Sequence, residues 1–541
     1  MNRRAFILSS AAAALTASTS QAAGIELPAE HVAAMQRRKR RIVVLYDAHD
    51  TLNAYAKLHA GGDAPFAPFR DALFTYEDEP GSQIDAIWWD IAGASPGSAY
   101  PSKLRSAVDH PLLIQWLKAG TDWVKELVNE CRRRKLEVVW NDRISEVDGP
   151  VFGSTEKQHL NPLKQAHPNW ALPCSFWPQG MWNFAVKDLR DYKLSLLREL
   201  LENYDFDGVQ IDFSRHIPCL PPGRQWELRG HVTEYMRGVR LLALEAARKH
   251  GHPVLVAAKV PQTLEGCHTD GLDIAEWSRL NLVDVLTLGS RSMDVDVEGI
   301  RAAVGPNIQL QPCFDDHHAT DGYRYQPPAF LRGVFANHWQ RGADSVVTFN
   351  WSVATPAQAG IVGEEHGSHH QAAYHEIGDP HTLAGKDKVL AVERRGGYPW
   401  ADGFFNRNDT APLPLDLGAG PAHLVLHISD APRPGKNHLA LRCIVFSDGE
   451  DAMVEASING TPLPAPSRDP EWKDSQIFSP KPQPASGGKG LYPVNPDQHL
   501  LRLDFEVPIT AWKQGANAVE LKSPAKFKLE KVEGHLVHPA L

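Results

Sequence analysis

Eight short β-branched runs recur between longer amphipathic stretches, and that alternation constrains the chain more than any other feature. The runs are Ile42–Asp47, Ile84–Asp90, Leu136–Asp142, Gly208–Asp212, Val254–Val260, Val283–Leu288, Ile308–Phe314 and Ser345–Asn350. Between them the hydrophobic period changes from two to 3.6. Leu189, Leu196, Leu197, Leu200 and Leu201 share one helix face, and Val232, Tyr235, Met236, Val239 and Leu242 share another before Gly251 stops the helix. Strand–helix repetition without hairpin signals predicts a parallel sheet, and eight units predict closure into a (β/α)₈ TIM barrel. A doubly wound sheet would carry a Gly-rich phosphate turn after its first strand. Here that position reads Tyr46-Asp47-Ala48-His49-Asp50.

From residue 391 the texture changes. Helical periodicity gives way to short alternating runs at His423–Ile428, Leu439–Phe446, Met453–Ile458, Leu501–Val507 and Ala518–Lys522, with a Pro/Gly-rich loop over Ser479–Pro496. These predict a C-terminal antiparallel β-sandwich over 391–541, following a barrel over 24–390. Residues 1–23 read as a leader of twin-arginine type: Arg3-Arg4, a short apolar stretch, then small residues up to Ala23. The expected destination is the periplasm or the cell exterior. No other stretch is long and apolar enough to insert in a membrane. A net charge of −9 gives no basic excess for nucleic acid. The run Arg37-Arg38-Lys39-Arg40-Arg41 is expected to be a solvated lead-in to the first strand. Cys174, Cys219, Cys267 and Cys313 fall near one end of the barrel, where an oxidising compartment would allow a loop-to-loop disulfide. Cys131 and Cys443 are expected to be buried, and the absence of Cys-x-x-Cys argues against a zinc knuckle. Nothing in the sequence fixes an oligomeric state.

Barrels of this kind carry their chemistry at the C-terminal ends of the strands. Those ends read Asp47 and His49, Asp90, Asn141-Asp142-Arg143, Asp212 with Arg215 and His216, Lys259, Arg291, Asp315-Asp316-His317-His318, and Asn350-Trp351. Some are helix caps, since loop starts favour Asp and Asn. A whole ring of ionisable groups at one end is more than packing requires. Along Gly208-Val209-Gln210-Ile211-Asp212, period-two alternation turns Gln210 and Asp212 into the barrel, where a carboxylate is costly unless it is bonded or used. Asp207 belongs to the turn before the strand and reads as structural. Taking the ring as acidic, Asp212→Asn is expected to leave stability unchanged or slightly raised. Trp88, Trp89, Trp140, Trp177, Trp182 and Trp351 sit at strand ends or just beyond, where indoles stack on sugar faces, and Trp351 is the best single platform. One of Trp88 and Trp89 must face the helices.

The segment Tyr204-Asp205-Phe206-Asp207-Gly208-Val209-Gln210-Ile211-Asp212, preceded by an amphipathic helix, resembles the fourth-strand signature of bacterial glycoside-hydrolase barrels. It is most similar to those labelled glycosyl-hydrolase-like family 10, over about residues 42 to 351. It also resembles the Asp-Gly-x-x-x-Asp strand of the α-amylase and α-glucosidase families, which implies a nucleophile at Asp212. Chitinase-like barrels carry Glu where this chain has Ser214 and Asp where it has Gln210, so substrate-assisted chemistry does not transfer. The stretch Val507–Asn517 is similar to edge strands of jelly-roll domains in polysaccharide-degrading enzymes. The resemblance implies a carbohydrate substrate, no cofactor, and a second carboxylate to complete glycosidic cleavage. Asp315 and Asp316 are the first choice for it and Glu265 the second. Asp47, His49, Asp90, Asn141, Asp142, Gln210, Arg215, His216, Lys259, Arg291, His317, Asn350 and Trp351 are then expected to contact substrate. Two other classes stay open: a lyase or aldolase using Lys259 as a Schiff base or a metal at Asp315 and His317, and a non-catalytic carbohydrate-binding barrel.

Overall fold

The computed structural model describes residues 23–37, 39–47, 49–60, 62–90, 97–106, 110–146, 161–174, 180–215, 217–290, 292–315, 323, 325–351, 364–395, 410–447, 452–481 and 493–539. The leader, apart from Ala23, lies outside them. Eight parallel strands close a barrel: β1 (Ile42–Asp47), β2 (Ile84–Asp90), β3 (Glu137–Arg143), β4 (Gly208–Asp212), β5 (Leu255–Val260), β6 (Val285–Leu288), β7 (Gln309–Phe314) and β8 (Val346–Phe349). They are ordered round the barrel as in the chain, with β1 hydrogen-bonded to both β2 and β8.

Alternation decides which side of each strand is inside. Ile42, Val44, Ile87, Trp89, Val209 and Ile211 face the helices and join the large outer core. Val43, Leu45, Trp88, Val139, Leu255, Val285, Val347 and Phe349 fill the interior, and Met35 of the Ala29–Arg37 helix plugs its N-terminal end. That helix is held by His31, whose Nε2 lies 2.9 Å from Asp284 Oδ1, and Asp284 also pairs with the buried Arg240. Gly208 opens β4 because a Cβ there would lie 2.9 Å from the Leu255 carbonyl oxygen. Just before it, Asp207 accepts from Val138 N–H at 2.9 Å and from Arg132 at 2.8 Å, the structural role its place in the sequence suggests.

Above the apolar interior a belt of polar side chains crosses the barrel. Asn141 donates to Asp90 (3.1 Å), Gln210 to Asn141 (2.6 Å), Thr287 to Gln210, Gln311 to Thr287 (2.7 Å), and Ser345 to Gln311 (3.1 Å). Amides and hydroxyls at this depth are costly unless paired, and the chain of bonds pairs them.

The C-terminal domain is an antiparallel sandwich of two main sheets. One runs Lys388–Ala391, Phe527–Val537, His438–Phe446, Leu500–Val507, Ser467–Asp469, with Leu415–Leu417 also on the second strand; the other runs Ala422–Ile428, Gly515–Lys522, Glu455–Ile458, Thr461–Pro462. The first sheet thus begins at Lys388, three residues before the expected boundary at 391. Val389 and Ala391 pack against the barrel core, Asn337 donates to the His427 carbonyl at 3.1 Å, and Ser292 donates to Glu393. The Pro328–Gln340 helix approaches this strand so closely that a Cβ on Gly333 would collide with the Val389 carbonyl. All six cysteines are thiols, so the loop-to-loop disulfide that an oxidising compartment would allow is not formed in this structure. Cys131 and Cys443 are buried as expected, and Cys219, Cys267 and Cys313 are buried with them. Among the described residues no helix is long and apolar enough to cross a membrane.

Candidate active site

Asp212 ends β4 with its side chain pointing inward and fully shielded from solvent. Its Oδ1 accepts from the backbone N–H groups of Ser214 (3.1 Å) and Arg215 (2.9 Å) as the chain turns off the strand. Its Oδ2 faces Lys259 Nζ at 3.5 Å from the neighbouring β5, where the two residues are direct register partners. Lys259 is as buried as Asp212, and its ammonium lies 3.7 Å from the centre of the Phe349 ring on β8. Burial pushes the Lys259 ammonium below its usual range, and the Asp212 charge only partly restores it. The Arg215 guanidinium covers the same ring at 4.8 Å.

A second ionic pair stands beside the first. Arg143 ends β3 directly opposite Asp212 in register and pairs with Asp90 at the end of β2, both being about 1% exposed. Asp90 also accepts from Asn141. Asp315, just past β7, is buried and accepts from Asn350 at 2.7 Å. Asn350 reaches it from a left-handed backbone at φ 57°, which Asn tolerates better than most residues. Anions and cations therefore alternate round the mouth. This corrects the expectation of an acidic ring, the premise on which Asp212→Asn is expected to be harmless to stability.

The other predicted residues divide. Asp90, Asn141, Gln210, Asp212, Lys259, Asp315 and Asn350 face the interior or its mouth, with Arg215 at the rim. Asp47 ends β1 beside Asp90 in register and His49 opens the following helix; their main chains are described. His216, Arg291, Asp316, His317, His318 and Trp177 lie outside the described residues. Asp142 does not reach the mouth. It follows Trp140 on the helix-facing side of β3, among Leu196, Leu197 and Leu200, in the field of Lys193 and Arg105. Trp351 is no sugar platform. Its ring is buried, stacked on His370 at 4.5 Å and packed on Phe335 and Tyr374. Trp140 and Trp182 are likewise core, as is Trp89; Trp88 is the inward member of its pair. Glu265 lies exposed in the first turn of the Leu264–Asp270 helix and makes none of the contacts of the buried cluster. Among the described residues no three His, Cys, Asp or Glu side chains converge as a metal site.

One role and one residue escape the sequence reading. Arg143 is read there as a strand end without a role; the strand runs one residue past Asp142, and alternation turns Arg143 inward alongside Asn141. Glu146, in the loop after β3 at φ 48°, accepts from Arg105, from Lys193 at 2.5 Å, from Asn161 at 2.8 Å and from Trp182 at 3.1 Å. Burial alone would raise its carboxyl, but Arg105 and Lys193 outweigh that and hold it well below the usual carboxylate range. It anchors the chain leaving β3, and only the three-dimensional meeting of four separate segments reveals it.

No protein-family model matches the sequence, and comparison with curated proteins gives no match. Among solved structures the chain is similar to alpha-L-fucosidase isoenzyme 2 from Paenibacillus thiaminolyticus, at 14% identity over 66% of this chain and 52% of that one, with a TM-score of 0.40. It is similar to an Anoxybacillus alpha-amylase at 10% identity over 90% and 98% of the two chains, TM-score 0.38. It is similar to a GH27 β-L-arabinopyranosidase from Geobacillus stearothermophilus at 11% identity over 92% and 98%, TM-score 0.36. The chain spans about half the length of the fucosidase. These structural neighbours are glycoside hydrolases, and all three TM-scores lie below 0.5.

Proposed function

We propose that this chain is a glycoside hydrolase acting outside the cytoplasm on a polysaccharide or oligosaccharide, with Asp212 as its central carboxylate. The export half of this reading rests on the twin-arginine leader alone. The observation that carries the catalytic half is the setting of Asp212: an inward carboxylate at the C-terminal end of a barrel strand, with one oxygen pinned by two backbone N–H groups and the other beside a buried ammonium. Such an oxygen is oriented before substrate arrives, which is what a nucleophile or a general base requires.

In glycosidic cleavage one carboxyl protonates the leaving oxygen while the other attacks the anomeric carbon or activates water. Asp212 fits the second role. Asp315 is the favoured partner, because it comes from β7, is buried, and is oriented by Asn350; Asp316 is its alternative. Glu265 is disfavoured by its exposure. Asp90 is bound to Arg143 and Asn141, which suits a positioning role. Reducing-end release from a panel of plant and algal polysaccharides tests the proposal. Turnover by the native chain and its loss in Asp212→Asn are expected; equal turnover by both would remove Asp212 from the mechanism.

One observation keeps a second reading open. Burial lowers the Lys259 ammonium, as Schiff-base lysines require. Its carboxylate neighbour argues the other way, by favouring the charged amine. Borohydride with a panel of sugar aldehydes should leave the mass of the protein unchanged, and a covalent adduct at Lys259 would favour the lyase or aldolase class.

A further inference from the structure

A cleft of about 580 Å³ lies at the seam between the two domains, within the size range of small-molecule sites. Ala336, Trp339 and Gln340, at the C-terminal end of the Pro328–Gln340 helix, form one wall; the sandwich loop carrying Arg433 and Lys436 forms the other. That helix ends shortly before β8 begins, so the cleft sits toward the N-terminal ends of the strands, away from the mouth.

The loop is firmly built. Asn437 accepts from Arg433 N–H at 2.8 Å and donates to the Ala431 carbonyl at 3.0 Å, while Gln514 donates to the Ser429 carbonyl at 2.7 Å. Asp430, the acidic residue in the lining, is taken up by Ser429 at 2.7 Å and by the buried Lys388 at 3.1 Å. Arg433 and Lys436 are exposed and have no acidic partner among the described residues. The indole N–H of Trp339 is tied to the Ile377 carbonyl at 2.7 Å, which fixes a half-buried ring in the wall. The Gln340 side chain hydrogen-bonds to no described residue, although its Oε1 is shielded from solvent.

We propose that this cleft binds an acidic saccharide of the uronate type. The indole supplies a face for sugar C–H groups, the uncommitted Gln340 amide a partner for a hydroxyl, and Arg433 with Lys436 a pair of cations for a carboxylate. A small free anion would leave the indole wall unused, and a purely apolar ligand would leave both cations unused. The site is separate from the Asp212 mouth, so it stands or falls independently of the hydrolase reading.

Isothermal calorimetry on the full chain, with trigalacturonate as the probe and maltotriose as the neutral control, tests it. Trigalacturonate should bind and maltotriose should bind far more weakly. Arg433→Ala with Lys436→Ala, both at exposed positions, should weaken trigalacturonate binding by about tenfold or more. Gln340→Leu should weaken it several-fold, with melting temperature unchanged in both variants. Absence of binding at millimolar probe, equal binding of maltotriose, or binding that survives all three substitutions would each overturn the proposal. Saccharide binding at the cleft by a chain without turnover would uphold it while defeating the hydrolase reading.

Discussion

Asp212→Asn separates catalysis from packing more sharply than any other single change. The substitution keeps the shape of the side chain and an oxygen able to accept from Ser214 and Arg215 N–H, but it removes the charge that faces Lys259. Both members of that pair are fully buried, so no solvent screens the loss. Removing one partner of such a pair costs about 3–5 kcal/mol, and the 3.5 Å separation places this pair in the lower part of that range. In a barrel of this size that corresponds to a fall of roughly 4–7 °C in Tm. The loss should be pH-dependent in a known direction. Without Asp212 the Lys259 pKa drops further below its unfolded value, so between the folded and the unfolded lysine pKa the folded chain binds fewer protons than the unfolded chain. Stability should then be regained as pH rises toward the usual lysine range, narrowing the gap to the native protein. Asp212→Asn with Lys259→Met should recover most of the lost stability, since neither charge remains. Turnover should fall by about 10³-fold or more in both variants, equivalent to roughly 4 kcal/mol of transition-state stabilisation. Differential scanning calorimetry from pH 6 to 10 alongside reducing-end assays reads all of this. A single variant as stable as the native protein, or a double variant less stable than the single, would refute the pairing argument.

Glu146→Gln should cost about 3–5 kcal/mol, because it strands Arg105 and Lys193 in the interior; a loss under about 1 kcal/mol by chemical denaturation would show that the cluster relaxes around the change. Burial holds the His338 imidazole down to about 4, against about 6.5 in the unfolded chain. Its contribution to stability should be complete above about pH 6.5 and lost as pH falls toward 4, and His338→Gln should flatten that part of the Tm profile. Gly333→Ala should destabilise the seam by about 1–3 kcal/mol and expose the interdomain segment to limited proteolysis; an unchanged digestion pattern would mean that the strand at Val389 moves aside freely. A chain ending before Lys388 should aggregate, because it uncovers the barrel surface on which Val389 and Ala391 pack; a soluble, monomeric barrel by light scattering would show that this surface tolerates water.

The strands were legible because a barrel makes the same demand at every position: apolar toward the helices, and a filled interior. Gln210 and Asp212 followed directly from that alternation. The structure departs from the expectation where the same rule stops one residue short or runs past its domain. The sequence puts both Asn141 and Asp142 at the mouth, but neighbours on a strand cannot share a face; the strand continues to Arg143, and Arg143 takes the inward position. Trp351 lies beyond the left-handed turn at Asn350, which sends the ring back into the helix layer. No period in the sequence announces that turn. The pairing of acids with Lys259 and Arg143 joins residues from different strands, so it depends on register and shear. In the sandwich, Phe527–Val537 went unrecognised although it is the longest strand, because the buried Glu530 and Lys531 interrupt its alternation at the irregularity opposite Ile444 and Val445.

The barrel closes by joining its first strand to its last, with Ile42 opposite Val346, and the helix that plugs it reaches across the chain from His31 to Asp284. Both contacts link the earliest part of the domain to segments made some hundreds of residues later. Loop closure on that scale is paid for before either contact returns any energy. A chain still being synthesised therefore carries the plugging helix without its anchor until Asp284 emerges, and one edge of β1 unpaired until β8 does. Folding of this domain is a late, cooperative event set by its final strand, and its rate should respond to changes in β8 more than to equally destabilising changes in β3 or β4, whose partners are already at hand.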